Sequence, residues 1–588
     1  MRAARSSVAG AAASKWALVS GSLALGMVLL VLPFARLKFD DFFLAAGERG
    51  LPTELSSWDR YRFITGQVRG LIDRSIAVGG LPWFTDPELR IALWRPLSSA
   101  LAAFDDAVFG AYAPAHLLHS GFWYVALCAL VAAWYQRHLP GRRGAIAAVG
   151  YALAANHQQG VTWFSARNTV VAAVFGMLAV FAHERAREKD SLGARIMVAA
   201  MVALALSAGE AGLGSVAFII AMEWLDSGVS WRVRLRRVLP TLGSVGLYFV
   251  LRVALGYGTH ASGMYKDPLT DPFGYLAVLP ERLLGSLAAL LVGMPADLWF
   301  FVPSTRSPMA WMGIVAGVAL WLWLRHGARR LPASDQRTLR LLVLAMFLSL
   351  LPQLAGPLGP RSYTIPSIAA LGLLAAGLDQ ALSTPAPALR KYGARALAGL
   401  LLLVHGAVGP YWWLSTARSG ADFVAELEDH QAELGMDEPA TADDEYVLIS
   451  VPNGVFGFYT PYQRAATGQR TPAQWRVLSF AARDHVATRT SEHTLEVKVD
   501  DGDLLDSPIT DLFRDAKRQL QVGQVRRSDG FSARILELSP RGQPRRVEFT
   551  TKRALDDPEL HLMAWDGGHM RRVSLAPGEQ RRFAWQAR

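Results

Sequence analysis

The chain has 588 residues, of which 52% are hydrophobic, and a formal net charge of +11. So apolar a composition excludes an ordinary water-soluble protein. The basic residues fall in short loops between apolar runs, a pattern of membrane orientation rather than of nucleic-acid binding. The single cysteine, Cys128, excludes an intrachain disulfide.

The N-terminus carries Arg2, Arg5 and Lys15, then an apolar run from Trp16 to Phe34. The run is long for a signal-peptide core and has no small-residue cleavage site before Phe39, so it reads as a retained anchor. At about 20 residues per crossing, the span candidates are 16–35, 113–135, 144–157, 168–184, 193–208, 211–225, 238–255, 284–302, 309–324, 340–356, 363–382 and 396–414. The positive-inside rule makes several basic clusters cytoplasmic: the N-terminus; Arg137 with Arg142 and Arg143; and Arg185 with Arg187 and Lys189. It does the same for Arg232 to Arg237, Arg325 to Arg340, and Arg390 with Lys391 and Arg395. Three apolar runs lie between the loops at 232–237 and 325–340, where alternation permits an even number. The run at 284–302 carries Pro295, Asp297 and Pro303, and is expected to be re-entrant or surface-lying. That leaves about eleven crossings of roughly 20 residues.

Where the first run ends stands Phe39-Asp40-Asp41-Phe42-Phe43. Adjacent carboxylates at the lip of a bilayer are costly unless protein or water surrounds them, which makes them a functional-site hypothesis. The competing reading is a solvated loop start. On this topology the segments 36–112, 156–167, 209–210, 256–308 and 357–362 lie outside. Asp40, Asp41, Arg95, His116, His157, Gln159, Arg167, Glu210, Arg252 and Arg361 all gather there. Between Asp86 and Gly110, Leu93, Leu97, Leu101 and Phe104 recur at helical spacing and predict an amphipathic interfacial helix. Asp105 and Asp106 on that helix read as a solvated face. Glycine-rich phosphate loops, Cys/His metal spacings and a Ser-His-Asp signature are absent from the sequence.

Composition changes after Leu414. The sequence divides into a transmembrane domain over 1–415, an acidic linker and helical extension over 416–445, and a β-rich domain over 446–588. The last contains short runs at Tyr446–Val451, Leu495–Val499, Ala533–Leu538, Arg546–Thr550, Met563–Trp565 and Arg571–Leu575. Asp501-Gly502, Gly542 and Gly567-Gly568 mark turns between them. The expected fold is a polytopic α-helical membrane protein with a small C-terminal β-rich extracytoplasmic domain.

Several stretches in order resemble the GT-C superfamily of polyprenyl-phosphate-sugar-dependent membrane glycosyltransferases. Among these the likeness is to protein O-mannosyltransferases and to transmembrane mannosyltransferases with tetratricopeptide repeats. Asp40-Asp41 after the first helix is similar to the family's acidic pair, and Trp94-Arg95-Pro96-Leu97 to its aromatic-Arg-Pro-Leu motif, followed by His116. The stretch from His157 to Arg167 resembles its outer loop, His-x-Glu-Ala-Val-Ala-Trp and then Arg. Leu206-Ser207-Ala208-Gly209-Glu210 resembles its Ser-Lys-Glu motif, and Arg361 before Pro366 the Arg of an Arg-x-x-Tyr-x-Pro segment. Gln159 stands where the family often has Glu, Gly209 where it has Lys, Trp123 in place of a second His and Thr364 in place of Tyr. The repeats are replaced by the β-rich domain.

The resemblance implies an integral protein of the bacterial inner membrane. It would move a sugar from a polyprenyl-phosphate donor to an acceptor hydroxyl, on a protein or an envelope glycan or lipid, at the extracytoplasmic face. It also implies a membrane-lipid environment and no nucleic-acid partner. Asp40 or Asp41 would be the base or acceptor-orienting carboxylate, the adjacent pair leaving open which. Arg95, Arg361 and Arg252 would meet the phosphate, since guanidinium forks match its oxygens. His116, His157, Arg167 and Glu210 would complete the polar lining. No cofactor is fixed, and a divalent metal ion stays open. The rival readings are a flippase or transporter of lipid-linked substrate, for which no inverted repeat is visible, and a catalytically silent envelope scaffold.

Overall fold

Each of the apolar runs is mostly helix, because a membrane-embedded backbone must satisfy its own hydrogen bonds. The structure is a computed structural model that describes residues 2–46, 58–65, 70–383, 388–436 and 443–587. Part of the acidic linker expected at 416–445, residues 437–442, lies outside the described residues. Among those described, seven helices are long and apolar enough to cross a membrane: Ser14–Phe34, Ala113–His138, Phe164–Lys189, Trp231–Ala254, Pro272–Val292, Pro303–Arg330 and Arg395–Glu433. Shorter helices such as Arg142–Leu153, Leu192–Ala208 and Leu213–Trp224 accompany them.

The apolar run at 284–302, expected to be re-entrant or surface-lying, is divided differently in the structure. A helix starts earlier, at Pro272, and runs through a π turn to Val292, long and apolar enough to be a span in its own right. A separate short helix, Asp297–Phe301, follows. Pro280, Glu281 and Arg282 hide the first half of this helix in the sequence. The Arg282 guanidinium is satisfied by donating to the carbonyls of Leu354 and Gly356, each at 2.8 Å.

Contacts group the chain into two units. The helical unit comprises residues 1–36, 94–255 and 272–420. Its basic loops meet at one end of the helices in a collar of ion pairs. Arg187 and Arg237 both reach Glu223 and Asp226, Arg337 reaches Asp226 at 3.0 Å, and Arg143 pairs with Asp335 and Asp379. Glu184 accepts from His138 at 2.8 Å and from the Trp134 indole at 3.1 Å. Loops that the sequence placed on one side by charge alone are thus held together by contact.

The second unit is discontinuous. It joins residues 37–93 and 256–271 to residues 421–588. A boundary drawn from composition does not see this, because the two insertions are too short to shift the composition around them. Strands Arg62–Ile64, Arg90–Ala92 and Gly258–His260 form one antiparallel sheet from three distant segments. A four-stranded sheet has the order His569–Arg572, Leu560–Asp566, Glu445–Leu448, Gln474–Val477, and its last three strands are parallel. The buried helix Gly454–Ala466 makes the crossover between the last two. A six-stranded antiparallel sheet runs Gln580–Phe583, His485–Arg489, Thr494–Val499, Pro544–Thr551, Phe531–Leu538, Val525–Ser528. The C-terminal region is β-rich as expected, but strands at 474–477, 485–489, 525–528 and 580–583 and the crossover helix carry too little alternation to be seen in sequence.

The helix Leu71–Val78 and the turn after it are built into this unit. The Trp83 indole donates to Leu478 O at 3.0 Å, and the Tyr462 hydroxyl to Gly80 O at 2.6 Å. Gly79 has φ +86°, and a Cβ there would lie 2.0 Å from the carbonyl oxygen of Trp475. Gly79→Ala combines left-handed strain with a backbone clash and is expected to destabilise the full chain by roughly 3 kcal/mol or more. Gly70→Ala, at φ +79° with nothing within 4 Å of its Cβ, should cost only about 1 kcal/mol. Thermal unfolding followed by tryptophan fluorescence would separate the two.

Candidate functional site

Asp40 and Asp41 open the short helix Asp40–Ala46, where carboxylates complement the unpaired amides of the first turn. The helix buries Phe42, Phe43 and Ala46 in the core of the β-rich unit. The two acids differ. Asp41 is buried, and its Oδ2 accepts from the Lys38 backbone N–H at 3.2 Å, which ties the segment entering the helix to its first turn. Asp40 is half-buried, and its Oδ1 accepts from the Tyr459 hydroxyl at 2.6 Å. Phe39 before them has φ +52°, an outlier for a bulky residue. It is held there by stacking on Phe423 at 5.4 Å and by an edge contact with Tyr459 at 6.0 Å. Strain of this kind persists only where the surroundings over-determine it, and it concentrates at functional sites.

The other seven candidates belong to the helical unit. Arg95, next to Pro96, stands at the N-cap of helix Pro96–Phe109, because a residue before proline is disfavoured in helical conformation. The residues from Asp86 to Arg95 are therefore not part of the predicted amphipathic helix; they include the strand Arg90–Ala92. Within the helix, Leu97 and Leu101 pack against Val171, Ala208 and Ala211. Ser98 Oγ donates to Ala208 O at 2.7 Å, and Arg95 Nε meets Glu210 Oε2 at 2.9 Å. At Gly209 a Cβ would lie 2.8 Å from the Asn168 amide, so the lysine of the family motif would displace that side chain.

Asp105 is the residue that sequence reasoning misread. Far from a solvated face, it is 2% exposed and gathers a polar cluster. Arg167 Nη1 pairs with Asp105 Oδ2, His119 Nδ1 lies 2.5 Å from Oδ1, and His116 Nδ1 lies 3.4 Å from Oδ2. The Trp123 indole donates to His119 Nε2 at 3.1 Å, which puts the proton of a neutral His119 on Nδ1, facing Asp105. Arg167 Nε donates to Ser120 Oγ at 2.8 Å and Nη2 to His116 O at 3.1 Å. Burial would raise the Asp105 pKa, but the two histidine contacts and the Arg167 charge outweigh it and hold the carboxyl well below the usual carboxylate range. The signal available in the sequence was His116 and His119 three residues apart on one helix face.

His157 is fully buried, with Nδ1 3.1 Å from the Tyr124 hydroxyl, Nε2 3.3 Å from Ser367 Oγ, and its ring against Tyr151. That surrounding leaves it no open face. Gln159 donates through Nε2 to Asp297 Oδ1 at 2.7 Å, and its Oε1 lies 3.5 Å from the Arg361 backbone nitrogen. A carboxylate at position 159 would face Asp297, so the glutamine is the residue type that fits. Sequence reasoning used Asp297 only as a reason to exclude a span. The Arg361 guanidinium is half-buried and lies 4.6 Å over the Trp163 ring. Arg252 is buried near the end of helix Trp231–Ala254.

The structure thus joins Arg95 with Glu210, His116 with Arg167, and Arg361 with Gln159. These groups share one end of the helical unit. Helices that start or finish at His116, Arg167, Glu210, Arg252 and Arg361 carry the collar residues His138, Arg187, Glu223, Arg237 and Asp379 at their other ends. Among the described residues no three His, Cys, Asp or Glu side chains are grouped to hold a metal ion. In the Asp105 cluster the Arg167 guanidinium already occupies the carboxylate.

No protein-family model and no curated protein matches this sequence. Among solved structures, the chain is similar to ArnT from Cupriavidus metallidurans bound to undecaprenyl phosphate. Identity is 14% over 77% of this chain and 85% of that one, with a TM-score of 0.38. It is also similar to the archaeal oligosaccharyltransferase AglB from Archaeoglobus fulgidus in complex with an inhibitory peptide and a dolichol-phosphate. There identity is 12% over 78% of this chain and 64% of that one, with a TM-score of 0.43.

Replacing Asp105 by Asn strands a buried guanidinium, and the expected loss of stability is roughly 3–5 kcal/mol. Adding Arg167→Gln to it should recover part of that loss, because the charge left unpaired is then gone. Thermal unfolding of the two variants beside wild type would show the coupling; additive losses would refute it.

Proposed function

We propose that the protein is a GT-C-type membrane glycosyltransferase that moves a sugar from a polyprenyl-phosphate donor to an acceptor hydroxyl. The ordered motifs support this reading, and the observation that carries it is Arg361. Arg95 and Arg167 are already neutralised by Glu210 and Asp105. Arg361 pairs with no carboxylate among the described residues and has its guanidinium laid on an indole. A half-buried fork of this kind, pre-positioned and without a counter-ion, suits a phosphate.

In the reaction, the bond between the sugar carbon and the phosphate oxygen breaks while the acceptor oxygen bonds to that carbon. The electron pair leaves with the phosphate, whose growing charge Arg361 stabilises. The acceptor's proton goes to a carboxylate, for which Asp40 is the better candidate. Asp41 is buried and closes its own helix start, whereas Asp40 is partly accessible and oriented by Tyr459. In this reading the protein lies in a bacterial inner membrane with the β-rich unit on the extracytoplasmic side.

Transfer from a labelled polyprenyl-phosphate sugar in purified membranes tests the proposal. Asp40→Asn should lower the rate roughly 10²–10⁴-fold, Asp41→Asn should act mainly through stability, and Arg361→Lys should raise the KM for donor. Equal transfer by all variants refutes the assignments; lipid-linked sugar that crosses the membrane without product favours a flippase. Sidedness has its own check. Cys128 is buried, so a cysteine placed at exposed Val522 should be the site labelled by an impermeant maleimide added outside intact cells. Protection of that cysteine until lysis would put the unit in the cytoplasm.

A further inference from the structure

At the collar end of the helical unit, three arginines do something the others there do not. Arg143, Arg187, Arg237 and Arg337 are each matched by aspartate or glutamate. Arg325, Arg329 and Arg340 have no carboxylate partner among the described residues, and they ring a cavity of about 430 Å³ together with Trp321, Leu324 and Gln336. The spare charge is local, because Arg337, three residues before Arg340 on the same helix, is paired with Asp226 at 3.0 Å.

The cradle is built by specific contacts. The helix Arg306–Leu322 passes into a π turn, Trp323–Gly327, a local widening often found at functional positions. Gln380 pins this turn from both sides: its Oε1 accepts from the Trp323 indole at 2.8 Å, and its Nε2 donates to Gly327 O at 2.9 Å. Gln336 Nε2 donates to the carbonyls of Arg329 and Leu331 at 3.1 and 2.9 Å, closing the next turn. Arg325 lies 5.3 Å over the Trp321 ring.

The approach to the cavity is apolar. Trp311, Val315, Val318, Trp321 and Leu322 are all exposed along one helix. Only 11% of the apolar window of the span Pro303–Arg330 is buried inside the protein. That face suits acyl chains, and it ends at three unpaired guanidinium groups where a membrane span meets its interface.

We propose that this cavity binds the phosphate headgroup of an anionic phospholipid whose chains lie along the Arg306–Leu322 face. The site is at the opposite helix ends from Arg361 and does not depend on the proposed transfer reaction.

The test uses the full chain in neutral detergent, with thermal stability and native mass spectrometry as readouts during titration with phosphatidylglycerol, phosphatidylcholine or inorganic phosphate. Phosphatidylglycerol should stabilise wild type and stay bound, while the other two do neither at matched concentration. The single variant Arg340→Gln should weaken phosphatidylglycerol about fivefold, and the triple change R325Q/R329Q/R340Q about tenfold or more. All three side chains are exposed, so these changes strand no buried charge and the variants should fold; the single variant decides should the triple not. Arg330→Gln, exposed next to the site but outside its lining, should leave binding unchanged. An equal loss in Arg330→Gln, no loss in the triple variant, or inorganic phosphate as effective as the lipid would each overturn the proposal.

Discussion

Moving a guanidinium or carboxylate out of water costs several kcal/mol even after local relaxation, so a helical membrane unit keeps such groups only where something offsets that cost. This constraint accounts for most of what distinguishes one arginine from another here. Arg167 is buried and survives because Asp105 accepts its charge while Ser120 and the His116 carbonyl take its remaining donors. Arg282 uses backbone carbonyls instead. Arg361 uses the face of an indole. An indole lowers the cost of desolvation without cancelling the charge, which leaves that charge available to an incoming anion.

The same constraint divides the helical unit by end. At one end the ion pairs among Arg143, Arg187, Arg237, Arg337 and their acids tie six helices together with short contacts. At the other, the chain leaves its helices in short 3₁₀ turns at Ala155–His157, Phe164–Ala166, Glu210–Gly212 and Pro360–Tyr363. Non-helical backbone at membrane depth is tolerated where protein or water covers it. These turns present His157, Arg167, Glu210 and Arg361, the residues that the proposed chemistry uses or surrounds itself with.

The β-rich unit adds a different kind of support. Its core draws on Phe42, Phe43, Trp83 and Phe84 from the first long loop as well as on residues beyond Val424. The acidic pair is consequently mounted on a packed scaffold, with Tyr459 from the crossover helix fixing Asp40 and aromatic stacking holding Phe39 in its strained conformation. An Asp-Asp pair on an unsupported loop would sample many orientations; here its geometry is inherited from a domain core.

By itself the sequence determined where the helices lie, since apolar runs have no other way to satisfy their backbone in lipid, and it determined which loops share an end, since basic clusters segregate by charge. It also supplied the ordered acidic, Arg-Pro, His and Arg motifs. It did not reveal that Pro272–Val292 is one continuous helix long and apolar enough to span, because Pro280, Glu281 and Arg282 interrupt the hydropathy while the helix continues through them. Nor did it separate Asp41 from Asp40 or rescue Asp105 from a solvated face, because burial and partner choice depend on side chains more than ten residues away, such as Tyr459 and Arg167. Periodicity reports which face of one element is apolar; only the tertiary structure decides which charges that packing brings within reach of each other.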